Sequence, residues 1–133
     1  MLVQTIRFYY AQNELSKIKF SKLNNSEVNL AQIFNEKTNK ILIYILPNCG
    51  YCDEKIDAII QLYDPLNTQL IIVSVGIDDF DYNDYYNKKY KSKKLNFNID
   101  KKNTFYRDFG LGFTEDFPTV LKYNLITNEF ERL

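Results

Sequence analysis

The sequence has 133 residues, of which 45% are hydrophobic and 26% charged, the length and balance of one globular domain. Its 17 basic residues match its 17 acidic residues, so bulk attraction to nucleic acid or to an anionic membrane is not expected. The absence of histidine excludes Ser-His-Asp and Cys-His catalysis and any histidine-ligated metal site. Two cysteines, Cys49 and Cys52, cannot by themselves form a four-cysteine zinc site.

We expect a single domain over residues 1–133, in which residues 1–18 form an N-terminal strand or arm. No stretch approaches the roughly 18 apolar residues of a membrane span. The first ten residues lack the charged start and apolar segment of a signal peptide. The predicted compartment is therefore cytoplasmic, or periplasmic or exterior to the membrane if a signal has been removed.

The N-terminal part of the chain predicts short elements. Residues 3–10 favour an edge strand or an ordered arm, and residues 18–23 a short strand. Ser26 is the predicted N-cap of a short helix. The apolar residues of that helix would be Val28, Leu30, Ile33 and Phe34.

The centre of the chain predicts a βαβ unit. Residues 41–46 and 70–75 are continuous apolar runs, typical of parallel strands buried on both faces, and Gly76 ends the second run. A helix is predicted between them. Its apolar face would consist of Cys52, Ile56, Ile59, Ile60 and Tyr63. Two strands joined by such a helix must be parallel.

Residues 78–94 begin acidic and end basic, an order that suits the dipole of a helix. Phe80, Tyr85 and Tyr86 would form its apolar stripe. Its charged side is predicted to face solvent, with a docking patch for a partner as the alternative. Three more elements are predicted after this helix. They are an edge strand over residues 95–99, a short helix over residues 104–109, and an antiparallel hairpin of residues 119–123 and 129–133.

The segment Cys49-Gly50-Tyr51-Cys52 lies between a predicted buried strand and a predicted helix. A helix N-terminus has free N–H groups and a partial positive charge, which stabilise a thiolate. Cys49, beside the cap, is therefore the predicted nucleophile, and Cys52, on the apolar face, the predicted resolving thiol. Asp53 and Glu54 oppose a thiolate whereas Lys55 favours it, so we expect only modest activation of Cys49.

Three other interpretations of the two cysteines stay open: a structural disulfide, half of a zinc site shared between subunits, and a buried core pair. A two-residue loop restrains the unfolded chain little, which weakens the first. The zinc site would need ligands from another molecule. Cys49 falls at the start of a helix and outside its apolar stripe, which weakens the third.

The chain resembles the thioredoxin-like superfamily and, within it, the TlpA/ResA-like thiol-disulfide oxidoreductases. The resemblance covers about residues 19–133 and rests on residues 20–30, 41–52, 103–110 and 117–120. It implies an α/β thioredoxin-like fold, with a central mixed sheet flanked by helices and a C-terminal β-hairpin. It also implies a cis-proline loop in which Phe117 and Pro118 lie beside Cys49 and hold the substrate. Tyr51, beside the reactive sulfur, is the third candidate for substrate binding.

The sequence also departs from that family. Asn48 replaces the tryptophan that usually precedes the first cysteine, and the motif lacks its proline. The active-site strand has no acidic residue, and Lys55 replaces the acid of ResA-like proteins. Glu115 and Asp116 are the candidate replacements for that proton carrier. The usual C-terminal helix is expected to be absent, because the chain ends within the last hairpin.

The resemblance implies a thiol-disulfide oxidoreductase, acting as a reductant or an electron relay, without a metal or other cofactor. The expected partners are a substrate protein with a thiol or disulfide and a redox partner protein; the expected state is a monomer. One alternative is a non-catalytic binding module of the same fold. Another is a peroxiredoxin-like peroxidase, which is less favoured because Leu46 occupies the position of the peroxiredoxin threonine.

Overall fold

The computed structural model describes residues 7–9, 12–46, 49–76, 79–102 and 118–133. The strands are β1 (Arg7–Tyr9), β2 (Lys19–Ser21), β3 (Glu27–Asn29), β4 (Asn39–Ile45), β5 (Thr68–Val75), β6 (Asn96–Asp100), β7 (Thr119–Asn124) and β8 (Glu129–Arg132). The helices are α1 (Gln12–Leu15), α2 (Leu30–Ile33), α3 (Cys52–Leu62) and α4 (Phe80–Ser92).

The strands form one mixed sheet in the order β1-β8-β7-β4-β5-β6-β2-β3. The three central strands β4, β5 and β6 are parallel, whereas β7 runs antiparallel to β4 and forms a hairpin with β8. The predicted βαβ unit (β4, α3 and β5) and the predicted C-terminal hairpin are both present. The α/β thioredoxin-like architecture expected from the sequence is therefore confirmed.

Hydrophobic cores cover both faces of the sheet because β4 is apolar on both sides. On one face, Leu42 and Tyr44 pack with residues of β2, β5, β7, β8 and α2. On the other face, α3 and α4 cover the sheet. The buried residues there include Ile41, Ile43, Ile45, Cys52, Ile56, Ile59, Ile72 and Tyr90. Cys52 thus belongs to the core that lies between α3 and β4.

Gly76 follows β5, as predicted, at a place where two segments come close together. Its N–H donates to the carbonyl of Asp100 at 3.0 Å. A Cβ atom at this position would lie 2.6 Å from the carbonyl oxygen of Lys101, which no side chain tolerates without a backbone shift. Glycine therefore lets the ends of β5 and β6 approach one another.

The prediction that residues 95–99 form an edge strand is wrong in position. β6 lies between β5 and β2, and its polar residues Asn98 and Asp100 are buried. Asn98 Nδ2 donates to the carbonyl of Ile72 at 3.3 Å, and the Tyr44 hydroxyl donates to Asp100. Alternating polar residues normally indicate a strand open to water on one face. Here the Asn98 amide group and the Asp100 carboxylate form hydrogen bonds inside the protein, whereas Asn98 Oδ1 has no hydrogen-bond partner among the described residues.

The predicted apolar faces of the two long helices need correction. Phe80 and Tyr85 are 64% and 59% exposed, whereas Tyr86 is partly buried against the core, as predicted, and Tyr90 is fully buried beneath α4. Ile60 of α3 is also 36% exposed, whereas the remaining residues of its predicted face are buried or partly buried. α4 begins one residue after Asp79, whose carboxylate accepts from the N–H of Tyr82 at 3.1 Å.

The predicted helix with Ser26 as its cap is also wrong. Residues 27–29 form β3, and the four-residue α2 follows it. Asn29 caps α2 through its side chain, which accepts from the N–H of Gln32, and Gln32 accepts in return from the N–H of Asn29. This reciprocal cap sets the start of the helix three residues later than predicted. The helix predicted over residues 104–109 lies outside the described residues.

Candidate active site

A disulfide bond joins Cys49 and Cys52, whose Cα atoms are 5.3 Å apart. Cys52 is the first residue of α3 and is 2% exposed within the hydrophobic core. Cys49 precedes the helix, packs against the same core and stays partly exposed. The spacing of the motif thus gives one accessible and one buried sulfur, the arrangement that the sequence predicts.

The N-terminus of α3 lies directly at this disulfide. Tyr51 is the N-cap residue, yet its side chain makes no capping hydrogen bond and is 67% exposed. The N–H of Cys52 donates to the carbonyl of Cys49 at 3.3 Å, closing the turn between the two cysteines. The partial positive charge of the helix start therefore acts close to the sulfur atoms.

Pro118 lies near the C-terminal end of β4, the end from which the chain continues to the disulfide. It is partly buried and directly precedes β7, whose first residue, Thr119, pairs with Tyr44 near the end of β4. The chain then leaves β4 and reaches Cys49. Phe117, the residue predicted to act with Pro118, lies outside the described residues, as do Glu115 and Asp116.

Two ion pairs connect α3 with α4 on the side next to the motif. Asp53 pairs with Lys89 and also accepts from the Tyr90 hydroxyl at 3.3 Å. One helical turn further, Asp57 pairs with Lys93 at 2.9 Å. Sequence reasoning placed Asp53 beside Cys52 but did not find its partner Lys89.

The pairing with Asp53 changes the acidity of both α4 groups. Burial lowers the pKa of Lys89, but the hydrogen bond and the charge of Asp53 outweigh it, so the pKa is raised overall. Burial, together with the same carboxylate, raises the pKa of Tyr90. Lys89 therefore remains a cation, and Tyr90 a neutral hydroxyl donor, across the physiological range.

The buried carboxylate of Asp100 does not replace the acid that the sequence lacks near Cys52. Asp100 binds the hydroxyl of Tyr44, which belongs to the core on one face of the sheet. Cys52 belongs to the core on the other face. The sheet thus separates this carboxylate from the buried cysteine. The sequence does not indicate that Asp100 is buried, because Asp100 ends a strand in which polar and apolar residues alternate.

Comparison with known proteins identifies the family. Residues 11–125 match the family model described as Redoxin. The chain belongs to the Redoxin family. A search of curated proteins found no match to this Redoxin-family sequence.

Solved structures similar to this Redoxin-family chain share its fold. MTB DsbF, in its mixed oxidised and reduced forms, is 15% identical with a TM-score of 0.65, over 93% of this chain and 87% of that one. A secreted Mycobacterium tuberculosis disulfide oxidoreductase homologous to E. coli DsbE is 12% identical with a TM-score of 0.62, over 84% and 79%. An uncharacterised thioredoxin-like protein from Porphyromonas gingivalis is 19% identical with a TM-score of 0.62, over 86% and 74%.

Two further properties concern the described part of this Redoxin-family chain. None of its helices in the described ranges is both long enough and apolar enough to cross a membrane. The same residues contain no cluster of three or more cysteine, aspartate or glutamate side chains that could hold a metal ion.

Proposed function

We propose that the protein is a thiol-disulfide oxidoreductase that exchanges two electrons with substrate proteins through Cys49 and Cys52. The observation that carries this proposal is the disulfide at the N-terminus of α3, which joins a partly exposed sulfur to a buried one. Membership of the Redoxin family and the shared fold with disulfide oxidoreductases support it.

The proposed reaction consists of two exchange steps. In the reduced protein, the Cys49 thiolate attacks one sulfur of a substrate disulfide, forms a mixed disulfide and releases the first substrate thiolate. Cys52 then loses its proton and attacks the Cys49 sulfur, which releases the second substrate thiolate. The substrate gains two electrons and, after protonation, two protons, while the protein acquires the Cys49–Cys52 disulfide. A dithiol partner protein returns it to the reduced form by the same steps in reverse.

We propose that the protein works as a reductant or as an electron relay. A cysteine pair becomes more oxidising as its reduced form is stabilised, chiefly through the thiolate. The first turn of α3 carries Glu54, which is exposed and opposes a thiolate, and Asp53, whose charge Lys89 largely balances. This opposition favours donation of electrons over strong oxidation.

The residues around the disulfide suggest how a substrate would be held. Tyr51 presents an exposed ring next to Cys49, and Pro118 lies at the neighbouring start of β7. We propose that Tyr51 and Pro118, together with Phe117, contact the substrate peptide on either side of the mixed disulfide. An extended peptide can form backbone hydrogen bonds at such a loop, as in strand addition.

A pair of single substitutions tests the roles of the two cysteines. Cys52→Ser removes the resolving thiol, so mixed disulfides between Cys49 and substrate proteins are expected to accumulate. Cys49→Ser removes the nucleophile, so no adducts are expected. The measurement is non-reducing electrophoresis of each variant recovered from cells after acid quenching, with the double variant as the blank.

Other outcomes would point to other functions. Equal trapping by both variants would contradict the assignment of nucleophile and resolving thiol. No trapping by either variant, together with failure of the wild type to reduce insulin, would favour the non-catalytic binding module. Reduction of hydrogen peroxide by Cys49 alone, with unchanged turnover in Cys52→Ser, would favour the peroxidase.

A further inference from the structure

Asp53 directly follows the buried Cys52, yet its carboxylate is held by α4. Lys89 forms an ion pair with it, and the Tyr90 hydroxyl donates to Asp53 Oδ1 at 3.3 Å. The ammonium group of Lys89 lies 5.7–5.9 Å from the centroids of three aromatic rings, those of Tyr85, Tyr86 and Tyr90. Cation–π attraction at this range restrains Lys89 beside Asp53.

Asp53 directly follows the disulfide in the first turn of α3, so the backbone positions of Asp53 and Cys49 are close. The Cα atoms of Cys49 and Cys52 are 5.3 Å apart, and consecutive Cα atoms lie about 3.8 Å apart. The Cα atoms of Cys49 and Asp53 are therefore within about 9 Å, comparable to the screening length of about 8 Å at physiological ionic strength. At that range an unpaired carboxylate opposes a neighbouring thiolate measurably.

The remaining charges near the first turn are more exposed to water. Within the described ranges, Glu54 and Lys55 are the other charged residues of this turn, and both are exposed. The side chains of Asp53 and Lys89 are only 34% and 25% exposed. Their charges are less screened by solvent, so the balance between them has the larger effect on the helix N-terminus.

We propose that Lys89 is a positioning residue that sets the reactivity of Cys49 by neutralising Asp53. The inference rests on the proposed function, because it concerns the thiolate that would attack the substrate. With Lys89 in place, the positive N-terminus of α3 is available to the Cys49 thiolate. Without Lys89, the Asp53 carboxylate opposes that thiolate, and Cys49 reacts more slowly at neutral pH.

Alkylation of Cys49 by the uncharged reagent iodoacetamide tests this proposal. In a Cys52→Ser background only Cys49 reacts, and its rate follows the thiolate fraction. We expect Lys89→Gln to slow the reaction about threefold at neutral pH and to move the midpoint of the pH–rate curve upward. Asp53→Asn should have the opposite effect, and the double variant should return close to the parent. The difference should shrink in 1 M salt, where the screening length is about 3 Å.

Lys93→Gln is the matched control. It breaks the Asp57–Lys93 pair, which joins the same two helices about 6 Å further along α3. The alkylation rate in this variant should stay within about 1.5-fold of the parent, because the broken pair is largely screened from Cys49. Equal slowing by Lys93→Gln and Lys89→Gln would show that loosening of the two helices is responsible, and would overturn the proposal.

Two results separate this inference from the proposed function. An unchanged rate in Lys89→Gln, in a wild type that does reduce disulfides, would overturn the inference alone. A slower rate in Lys89→Gln, in a wild type that reduces no disulfide, would support the electrostatic role and overturn the proposed function. Alkylation requires no substrate turnover, so it can be read in either case.

Discussion

Lys40 is a buried cation at the start of β4, at the end of the strand far from Cys49. Its Nζ donates to the carbonyl of Asn35 at 2.6 Å and to the Asn35 side chain at 2.7 Å. Burial lowers the pKa of this ammonium from 10.5 to about 8, an effect that Glu36 partly opposes and Lys37 reinforces. The folded protein therefore holds the proton of Lys40 less tightly than the unfolded chain does.

This difference predicts how stability changes with pH. Between about pH 8 and pH 10.5 the unfolded chain binds more protons at Lys40 than the folded protein, so the contribution of Lys40 to stability rises with pH. The gap in free energy of unfolding between wild type and Lys40→Met should therefore shift in favour of the wild type across that window. Urea denaturation of both proteins at several pH values measures it. A gap independent of pH would contradict the prediction.

At the scale of single residues, the sequence predicts the different burial of the two cysteines because that difference follows from local geometry. Three-residue spacing at a helix start makes one sulfur accessible and the other buried. The Asp53–Lys89 pair is not local, because it depends on how two helices pack. The sequence does contain a weak sign of it. The two aspartates are four residues apart (Asp53 and Asp57), and so are the two lysines (Lys89 and Lys93). The aspartates therefore share one helix face, and the lysines share another.

At the scale of elements, α4 is anchored by Tyr90. This side chain is 1% exposed and its ring stacks on Phe97 with centroids 5.9 Å apart. Tyr85 lies on the same helix and is mostly exposed, with a ring contact to Tyr86. The two tyrosines therefore differ sharply in what they contribute to the core.

Alanine substitutions at these two positions should differ accordingly. Tyr90→Ala is expected to lower the free energy of unfolding by about 3–5 kcal/mol, because it leaves a cavity between α4 and β6. Tyr85→Ala should cost about 1 kcal/mol or less, since it removes an exposed ring contact with Tyr86 and an exposed cation–π contact with Lys89. Thermal and chemical denaturation of both variants checks this order. Equal losses would show that α4 does not pack as described.

The buried face of α4 could not be read from the sequence, since tyrosine suits both a core and a wet surface. Phe80 and Tyr85 belong to the apolar stripe that the sequence predicts, yet the buried residues of α4 are Asn83 and Tyr90. The same difficulty affects β6, where alternating polar residues suggested an exposed face. In both elements the partner that covers the polar groups lies elsewhere in the chain, so only the folded structure shows it.

At the scale of the whole molecule, the sheet order places the site. β7 pairs antiparallel with β4, so the start of β7 lies beside the C-terminal end of β4. The disulfide follows β4 in the chain and belongs to the same end of the sheet. The apolar runs of β4 and β5 and the hairpin of β7 and β8 were predictable because they are local or continuous patterns. The pairing of β1 with β8 and of β2 with β6 joins distant segments, which no local pattern specifies.

The central claim is that Cys49 and Cys52 form a redox-active pair, and a redox titration tests it most directly. The purified protein would be equilibrated with glutathione or dithiothreitol buffers, and its free thiols scored by alkylation. We predict a reversible two-electron couple between about −270 and −120 mV, nearer the reducing end, as expected for a reductant or relay of this fold. A couple far below about −300 mV would identify a structural disulfide, and the absence of any couple would favour a binding module. Either result would contradict the account.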